Sequence, residues 1–96
     1  MDFGFFYDLA VYANRNWGGG FDEKSIACMA YDNLLEMEES LKYGIPSATI
    51  ESLIDCLRED VRNGNDEAET FLDEIKYQLR KAKERTEMEN LDLWEV

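Results

Sequence analysis

The sequence predicts an all-α protein, a small helical bundle of about four amphipathic helices. Stretches that are rich in glycine or contain proline, at residues 18–20, 44–46 and 63–65, divide the 96-residue chain into four segments. Within each segment the apolar residues recur at intervals of three and four, which is the spacing of one helix face. A hydrophobic content of 45%, with 12% aromatic residues, is too high for a disordered chain. We therefore expect four helices, joined by short connections, that bury their apolar faces.

The first helix is predicted from the apolar side chains of the N-terminal segment. They share one helix face and are Phe6, Leu9, Ala10, Ala13 and Trp17. Residues 3–5 either belong to this helix or form a short N-terminal strand, because the sequence Phe3-Gly4-Phe5 also suits the start of a strand.

The second helix has better defined ends. Asp22 is a candidate N-cap, and Phe21 and Ile26 are spaced to form a hydrophobic staple around it. Gly44 can adopt the left-handed conformation that ends a helix, and Pro46 follows it. The apolar face between these ends comprises Ile26, Met29, Ala30, Leu34, Met37 and Leu41.

The third and fourth helices follow the same pattern. The third begins near Ser47 or Thr49 and ends at Asn63-Gly64, and a capping box from Asp66 to Glu69 opens the fourth. The apolar faces comprise Ile50, Leu53, Ile54, Leu57 and Val61 in the third helix, and Phe71, Leu72, Ile75, Leu79 and Ala82 in the fourth. We expect residues 1–85 to form a single helical domain. Residues 86–96 are acidic and hydrophobic, and form either a docked terminal turn or a free C-terminal tail.

The two cysteines are expected to have a structural role. Cys28 and Cys56 lie within helical apolar patterns and are 28 positions apart, which matches no zinc or redox spacing. We therefore expect both to be small buried hydrophobic residues. One disulfide or one reactive thiol is the alternative, which a reducing cytoplasm disfavours.

The charge of the chain excludes several classes of function. Its 22 acidic residues outnumber its 10 basic residues, giving a net charge of −12, and it contains no histidine. Nucleic-acid phosphates and anionic lipids repel a protein this negative, so we expect neither direct nucleic-acid binding nor membrane binding. The lack of histidine removes the commonest general base and metal ligand. These observations predict a non-enzymatic protein without a cofactor or a metal.

Rows of carboxylates on the second and third helices are the candidate partner-binding residues. They are Asp32, Glu36, Glu38 and Glu39 on the second helix, and Glu51, Asp55, Glu59 and Asp60 on the third. Like charges four residues apart destabilise a helix by about 0.2–0.5 kcal/mol per pair. Lys42, Arg58 and Arg62 are placed to offset part of this charge. Such rows suit a surface that presents phosphate-like charge to a basic groove on another protein. Their alternative role is a well-solvated surface.

Aromatic residues supply a second candidate contact surface. Seven of the 12 aromatic residues fall in the first 21 positions, which is more than one face of a short helix can bury. Interfaces are enriched in aromatic residues, so Tyr12 and Trp17 join the candidate partner-binding residues. Their alternative role is in the core.

The chain resembles the small acidic inhibitors encoded by phages and mobile elements, including anti-CRISPR proteins and other nucleic-acid mimics. The resemblance lies in its size, its charge, acidic helical stripes such as Asp32/Glu36/Glu39, and its lack of catalytic residues. It implies binding to a basic nucleic-acid-binding protein or a nuclease complex, with inhibition by occupation of the nucleic-acid groove. It implies a class of function and no particular site.

A helical adaptor or an antitoxin-like regulatory protein is the alternative function. Such a protein would act through an apolar partner interface or as a homodimer formed by its aromatic N-terminus. The N-terminus lacks the basic and apolar regions of a signal peptide, and no apolar run approaches the roughly 20 residues of a membrane span. We therefore expect a cytoplasmic protein, within a bacterial host if it is phage-encoded.

Overall fold

Four α-helices form the secondary structure of the computed structural model, which describes the backbone of residues 2–94 and the side chains of residues 2–86. They are α1 (Phe3–Asn16), α2 (Glu23–Tyr43), α3 (Ala48–Arg62) and α4 (Asp66–Trp94). The predicted all-α class with four helices is confirmed. The alternative of an N-terminal strand is wrong, because residues 3–5 are the first residues of α1 and no strand occurs within residues 2–94.

Side-chain caps explain where three of the helices begin. Asp2 Oδ1 accepts a hydrogen bond from the Phe5 backbone N–H at 3.0 Å, which starts α1 at Phe3. Asp22 Oδ1 accepts from the Ser25 backbone N–H at 2.8 Å, which confirms the predicted cap of α2. Ser47 Oγ accepts from the Ile50 backbone N–H at 3.3 Å and caps α3.

The predicted cap of α4 is wrong by one residue. Asn65, rather than Asp66, lies before the first turn, and its Oδ1 accepts from the backbone N–H groups of Glu67 at 3.1 Å and Ala68 at 3.3 Å. Asp66 is the first helical residue. Its carboxylate and those of the following turn therefore act through the helix dipole instead of through a capping box.

The cap at Asp22 makes the stability of the fold depend on pH. Hydrogen bonds from the backbone and the side chain of Ser25 hold the pKa of Asp22 below its ordinary value. Because the folded-state pKa is lower than the unfolded-state pKa, the cap stabilises the fold above the unfolded-state pKa. This contribution is lost as the pH falls through the folded-state pKa.

We expect Asp22→Ala to lower the urea midpoint at neutral pH, and its difference from the unmodified protein to shrink as the pH falls from about 5 to about 2. Asp22→Asn is the matched control, since it keeps a capping oxygen that does not titrate. Its urea midpoint should depend less on acid than that of the unmodified protein. If the urea midpoints of Asp22→Ala and of the unmodified protein differ by the same amount throughout this pH range, Asp22 is not a cap whose ionisation stabilises the fold.

A left-handed glycine and a buried serine shape the turn between α2 and α3. Gly44 has a φ of 70°, which confirms its predicted place beyond the helix end. The Ile45 N–H donates to the Ser40 backbone carbonyl at 3.2 Å. The Ser40 side chain is buried, and its Oγ accepts from the Ser47 N–H at 2.9 Å. These bonds satisfy backbone groups that the end of α2 would otherwise leave unpaired.

The chain divides into two units, Met1–Glu36 and Met37–Val96, with the boundary inside α2. In the second unit α3 packs against α4. The buried apolar residues of the first unit are Phe6, Leu9, Ala10, Tyr12, Ile26 and Ala30. Those of the second unit are Met37, Ile50, Ile54, Leu57, Ala68, Phe71, Leu72, Ile75 and Ala82. Most residues of the four predicted apolar faces are therefore buried, and the other members of these faces are half-buried.

The predicted domain boundary at residue 85 stays a prediction. The α4 backbone passes through this position as a helix and continues to Trp94. Whether the tail at 86–96 is docked or free depends on side chains that, beyond residue 86, lie outside the described residues. Among the helices described, none combines the length and apolar character needed to cross a membrane.

Candidate partner-binding surface

The outer face of α2 carries carboxylates that are open to solvent. Asp32 in the first unit is exposed, as are Glu38 and Glu39 in the second. Glu36 is half-buried and engaged in an interaction within the chain. The predicted row of Asp32, Glu36 and Glu39 therefore contains two freely accessible members and one that is partly covered.

Lys42 does not neutralise the acidic end of α2. Its Nζ lies 5.6 Å from the centre of the Tyr43 ring, a cation–π arrangement. Among the side chains of residues 2–86, it forms no ion pair with Glu38 or Glu39. Glu38 and Glu39 are thus exposed carboxylates that Lys42 does not pair with in the described part of the chain.

The carboxylates of α3 have a different electrostatic setting. Arg58 Nη1 lies 3.9 Å from Asp55 Oδ1, and Arg62 Nη1 lies 3.4 Å from Glu59 Oε2. Exposed pairs of this kind contribute little to stability. They nevertheless place a positive charge beside two of the three carboxylates in the predicted row, which leaves Glu51 as the exposed member outside these pairs.

Asp60 lies at the end of α3, beside the turn into α4. Its side chain is half-buried, and its backbone carbonyl accepts from the N–H groups of Asn63 at 3.1 Å and Asn65 at 3.0 Å. Asp60 therefore has a structural role in the turn, in addition to any role at a surface.

Tyr12 lies in the core and not on a contact surface. It is fully buried, and its ring meets the ring of Trp17 edge-on, with 5.7 Å between centroids. Trp17 is half-buried, so part of its ring remains accessible. The prediction that both aromatic residues face a partner is therefore corrected for Tyr12, because the N-terminal unit uses this side chain for packing.

A hydrogen bond organises the polar loop that follows Trp17. Asn14 Oδ1 accepts from the Phe21 backbone N–H at 3.1 Å, across the three glycines at residues 18–20. Phe21 itself is exposed. This hydrogen bond holds the two ends of the loop together, and the Phe21 side chain is exposed to solvent.

An exposed apolar stripe on α2 was missed by the sequence-based predictions. Tyr31 and Leu35 are 55% and 45% exposed, and Cys28 lies on the same face at helical spacing. The signal was present, because the buried positions Ile26, Ala30 and Met37 place this stripe on the opposite side of the helix. Apolar side chains therefore lie beside the carboxylate of Asp32.

The predicted burial of the cysteines is wrong. Cys28 and Cys56 are both exposed free thiols. Cys28 is two residues from Ile26, and Cys56 is two residues from Ile54. A two-residue step rotates a helix position by roughly 200°, so each thiol points away from the side that its buried neighbour occupies.

Within the described part of the chain, no three Asp, Glu or Cys side chains are grouped so that they could hold a metal ion. No protein-family model matches the chain, and no curated protein or solved structure matches it.

Proposed function

We propose that this protein binds a basic nucleic-acid-handling protein through the outer face of α2 and inhibits it by occupying its nucleic-acid groove. The observation that carries the proposal is the exposure of carboxylates on α2, namely Asp32 in the first unit and Glu38 and Glu39 in the second, where the latter two form no ion pair with the described side chains. The net charge of −12 adds long-range attraction toward a positively charged groove. A non-enzymatic, stoichiometric inhibitor acts by binding alone, so it needs neither a catalytic residue nor a cofactor.

The contact is expected to combine charge with apolar anchors. Lysine and arginine side chains that line a nucleic-acid groove form charge-assisted hydrogen bonds with carboxylates as they do with phosphates. Tyr31 and Leu35 lie beside Asp32 and offer apolar surface that a partner would remove from water. The carboxylates favour basic partners, and the apolar side chains slow dissociation.

The test is competition with nucleic acid. A protein captured from nuclease-treated bacterial lysate at low salt is purified, and its nucleic-acid affinity is measured with and without this protein. Unmodified protein should displace the nucleic acid, with an effect that weakens steeply as salt rises. Asp32→Lys/Glu38→Lys/Glu39→Lys should compete at least about tenfold more weakly, because it introduces like charges at the contact.

The matched control reverses an equal charge on α3. Glu51→Lys/Asp55→Lys/Glu59→Lys changes the net charge by the same amount, at carboxylates of which two already neighbour arginine. It should retain most of the competition. Equal losses for both variants would show that overall charge, and not the α2 face, drives binding. Salt-independent affinity, or an acidic partner, would contradict the proposal altogether.

A helical adaptor that works through apolar contact is the second candidate, and the exposure of Tyr31 and Leu35 favours it. For such a protein, Tyr31→Ala/Leu35→Ala should abolish partner binding while the α2 charge reversal leaves it intact. Binding should also change little with salt. The two candidate functions therefore predict opposite rankings of the same two variants.

A further inference from the structure

Helix α4 separates its exposed charges into two halves. Residues 66–75 contain five acidic residues and no base, whereas residues 76–85 contain five basic residues and one acid. All of these side chains are exposed. They are Asp66, Glu67, Glu69, Asp73 and Glu74 in the first half, and Lys76, Arg80, Lys81, Lys83, Glu84 and Arg85 in the second.

The helix dipole explains only part of this separation. It favours the acidic residues of the first turn. Asp73 and Glu74 lie beyond that turn, and the basic residues lie in the middle of α4, because the helix continues to Trp94 and has no base in its last turn. These bases therefore do not lie at the C-terminal end of α4, where the helix dipole would favour positive charge.

Separation of the charges is unfavourable within a single helix. It places like charges four residues apart, in the pairs Glu69–Asp73, Lys76–Arg80 and Lys81–Arg85. An interleaved sequence would instead form favourable pairs at the same spacing. The segregated order is thus not what the stability of an isolated α4 would select.

The charged groups at the middle of α4 are available for contacts outside the chain. Glu74 Oε1 accepts a hydrogen bond from Gln78 Nε2 at 3.1 Å, and Lys81 Nζ lies 5.2 Å from the centre of the Tyr77 ring. Among the side chains of residues 2–86, Asp73, Glu74, Arg80 and Lys81 form no ion pairs. Tyr77 itself is 48% exposed.

We propose that α4 is the contact between two copies of this chain, arranged antiparallel about a two-fold axis at Tyr77. In that register Asp73 lies beside Arg80 of the second copy, and Glu74 lies beside Lys81 of the second copy, because the two-fold axis keeps each side chain on its own side of the helix pair. In each pair one member lies four residues from Tyr77 and the other three, which corresponds to about 6 Å and about 4.5 Å along the helix.

Two-fold symmetry makes this surface complementary to itself. Each ion pair occurs twice in the dimer, and the two Tyr77 rings meet at the axis, where an aromatic side chain supplies apolar area. Exposed ion pairs are individually weak, and two chains of charge −12 repel each other at long range. The dimer is therefore weak, and physiological salt assists it by screening the long-range repulsion. The proposal does not rest on the function proposed for α2.

The decisive test is a charge swap measured by sedimentation equilibrium at one fixed ionic strength. Asp73→Lys and Arg80→Asp should each weaken dimerisation by about tenfold, because each converts two attractive pairs into repulsive ones. The double variant Asp73→Lys/Arg80→Asp should restore the affinity of the unmodified protein. Asp73→Lys also lowers the net negative charge, so a weaker dimer cannot result from greater overall repulsion.

Glu51→Lys on α3 is the matched control for Asp73→Lys, since it makes the same change of charge at an exposed helical site. It should leave dimerisation unchanged or strengthen it slightly. An unmodified protein that remains monomeric up to millimolar concentration would overturn the proposal. A double variant that stays as weak as the single variants would also overturn it.

Disulfide trapping tests the register directly. In a Cys28→Ser/Cys56→Ser background, Tyr77→Cys should form a disulfide-linked dimer on mild oxidation, because the two positions meet at the axis. Thr70→Cys lies on the same exposed face, but the two copies of this position are about 21 Å apart along the paired helices. It should therefore cross-link poorly. Equal cross-linking of both variants would contradict the antiparallel register.

Discussion

Replacement of Phe6 by alanine is expected to lower the free energy of unfolding by about 3–5 kcal/mol. Phe6 is fully buried, and its ring meets the Phe5 ring edge-on with 5.2 Å between centroids. The variant loses the transfer free energy of the ring and leaves a cavity that its neighbours fill only in part. Because small domains have only about 5–15 kcal/mol of stability, this is a large fraction of the total.

Urea denaturation followed by circular dichroism measures this loss, and Phe3→Ala is the matched control. Phe3 lies on the same helix but is 40% exposed, and its ring makes only a tilted contact with Tyr7, at 6.0 Å between centroids. It should lose about 1 kcal/mol or less. Similar losses for the two variants would show that burial of Phe6 does not determine the stability of the N-terminal unit.

Gly44→Ala is expected to destabilise the protein by about 2–4 kcal/mol for two separate reasons. The backbone of Gly44 is left-handed, with a φ of 70°, which an alanine side chain disfavours. An added Cβ would also lie 3.1 Å from the Cα of Lys83 and 3.3 Å from Oγ1 of Thr86. The first of these neighbours is backbone, so it cannot move aside as the end of a side chain could.

Gly64→Ala separates the two contributions. Gly64 is also left-handed, with a φ of 91°, but no heavy atom would lie within 4 Å of an added Cβ. The free energy of unfolding of Gly64→Ala should fall only by the cost of the left-handed backbone conformation, about 1–2 kcal/mol. A larger loss at Gly44 would measure how closely the turn after α2 approaches α4. Equal losses would mean that α4 shifts to make room.

The helices could be predicted because their signals are local. Asp22 and Ser47 accept hydrogen bonds from the first turns that follow them, and Gly44 adopts the left-handed conformation that its position suggested. Each of these depends on only a few neighbouring residues. The cap of α4 was misplaced because two polar residues in succession, Asn65 and Asp66, can each cap a helix, and the pattern alone does not choose between them.

Side-chain environments were harder to predict than helices. Tyr12 was a candidate for a contact surface because the first 21 residues hold more aromatic side chains than one face of a short helix can bury, whereas this side chain takes the alternative place in the core. Cys28 and Cys56 were expected inside because cysteine is often buried, although their spacing from Ile26 and Ile54 already placed them outside. The angular position of a cysteine on its helix therefore predicts its burial better than the residue type does.

The exposure of the candidate carboxylates could be predicted from the sequence, whereas their role in partner binding stays a prediction. All eight carboxylates are exposed or half-buried, in agreement with a charged surface. The sequence could not show that Lys42 would turn toward Tyr43 while Arg58 and Arg62 turned toward Asp55 and Glu59. These choices depend on rotamers and small energy differences, and they make the α2 carboxylates better candidates for partner binding than those of α3.

The two exposed thiols make the cooperativity of unfolding measurable without any mutation. Cys28 belongs to the first unit and Cys56 to the second, and neither side chain helps to fill a core. A fluorophore attached to either thiol would therefore disturb packing little while reporting on its own unit. Coincident transitions for the two labels would mean that the units melt as one, and separate transitions would give each unit its own stability.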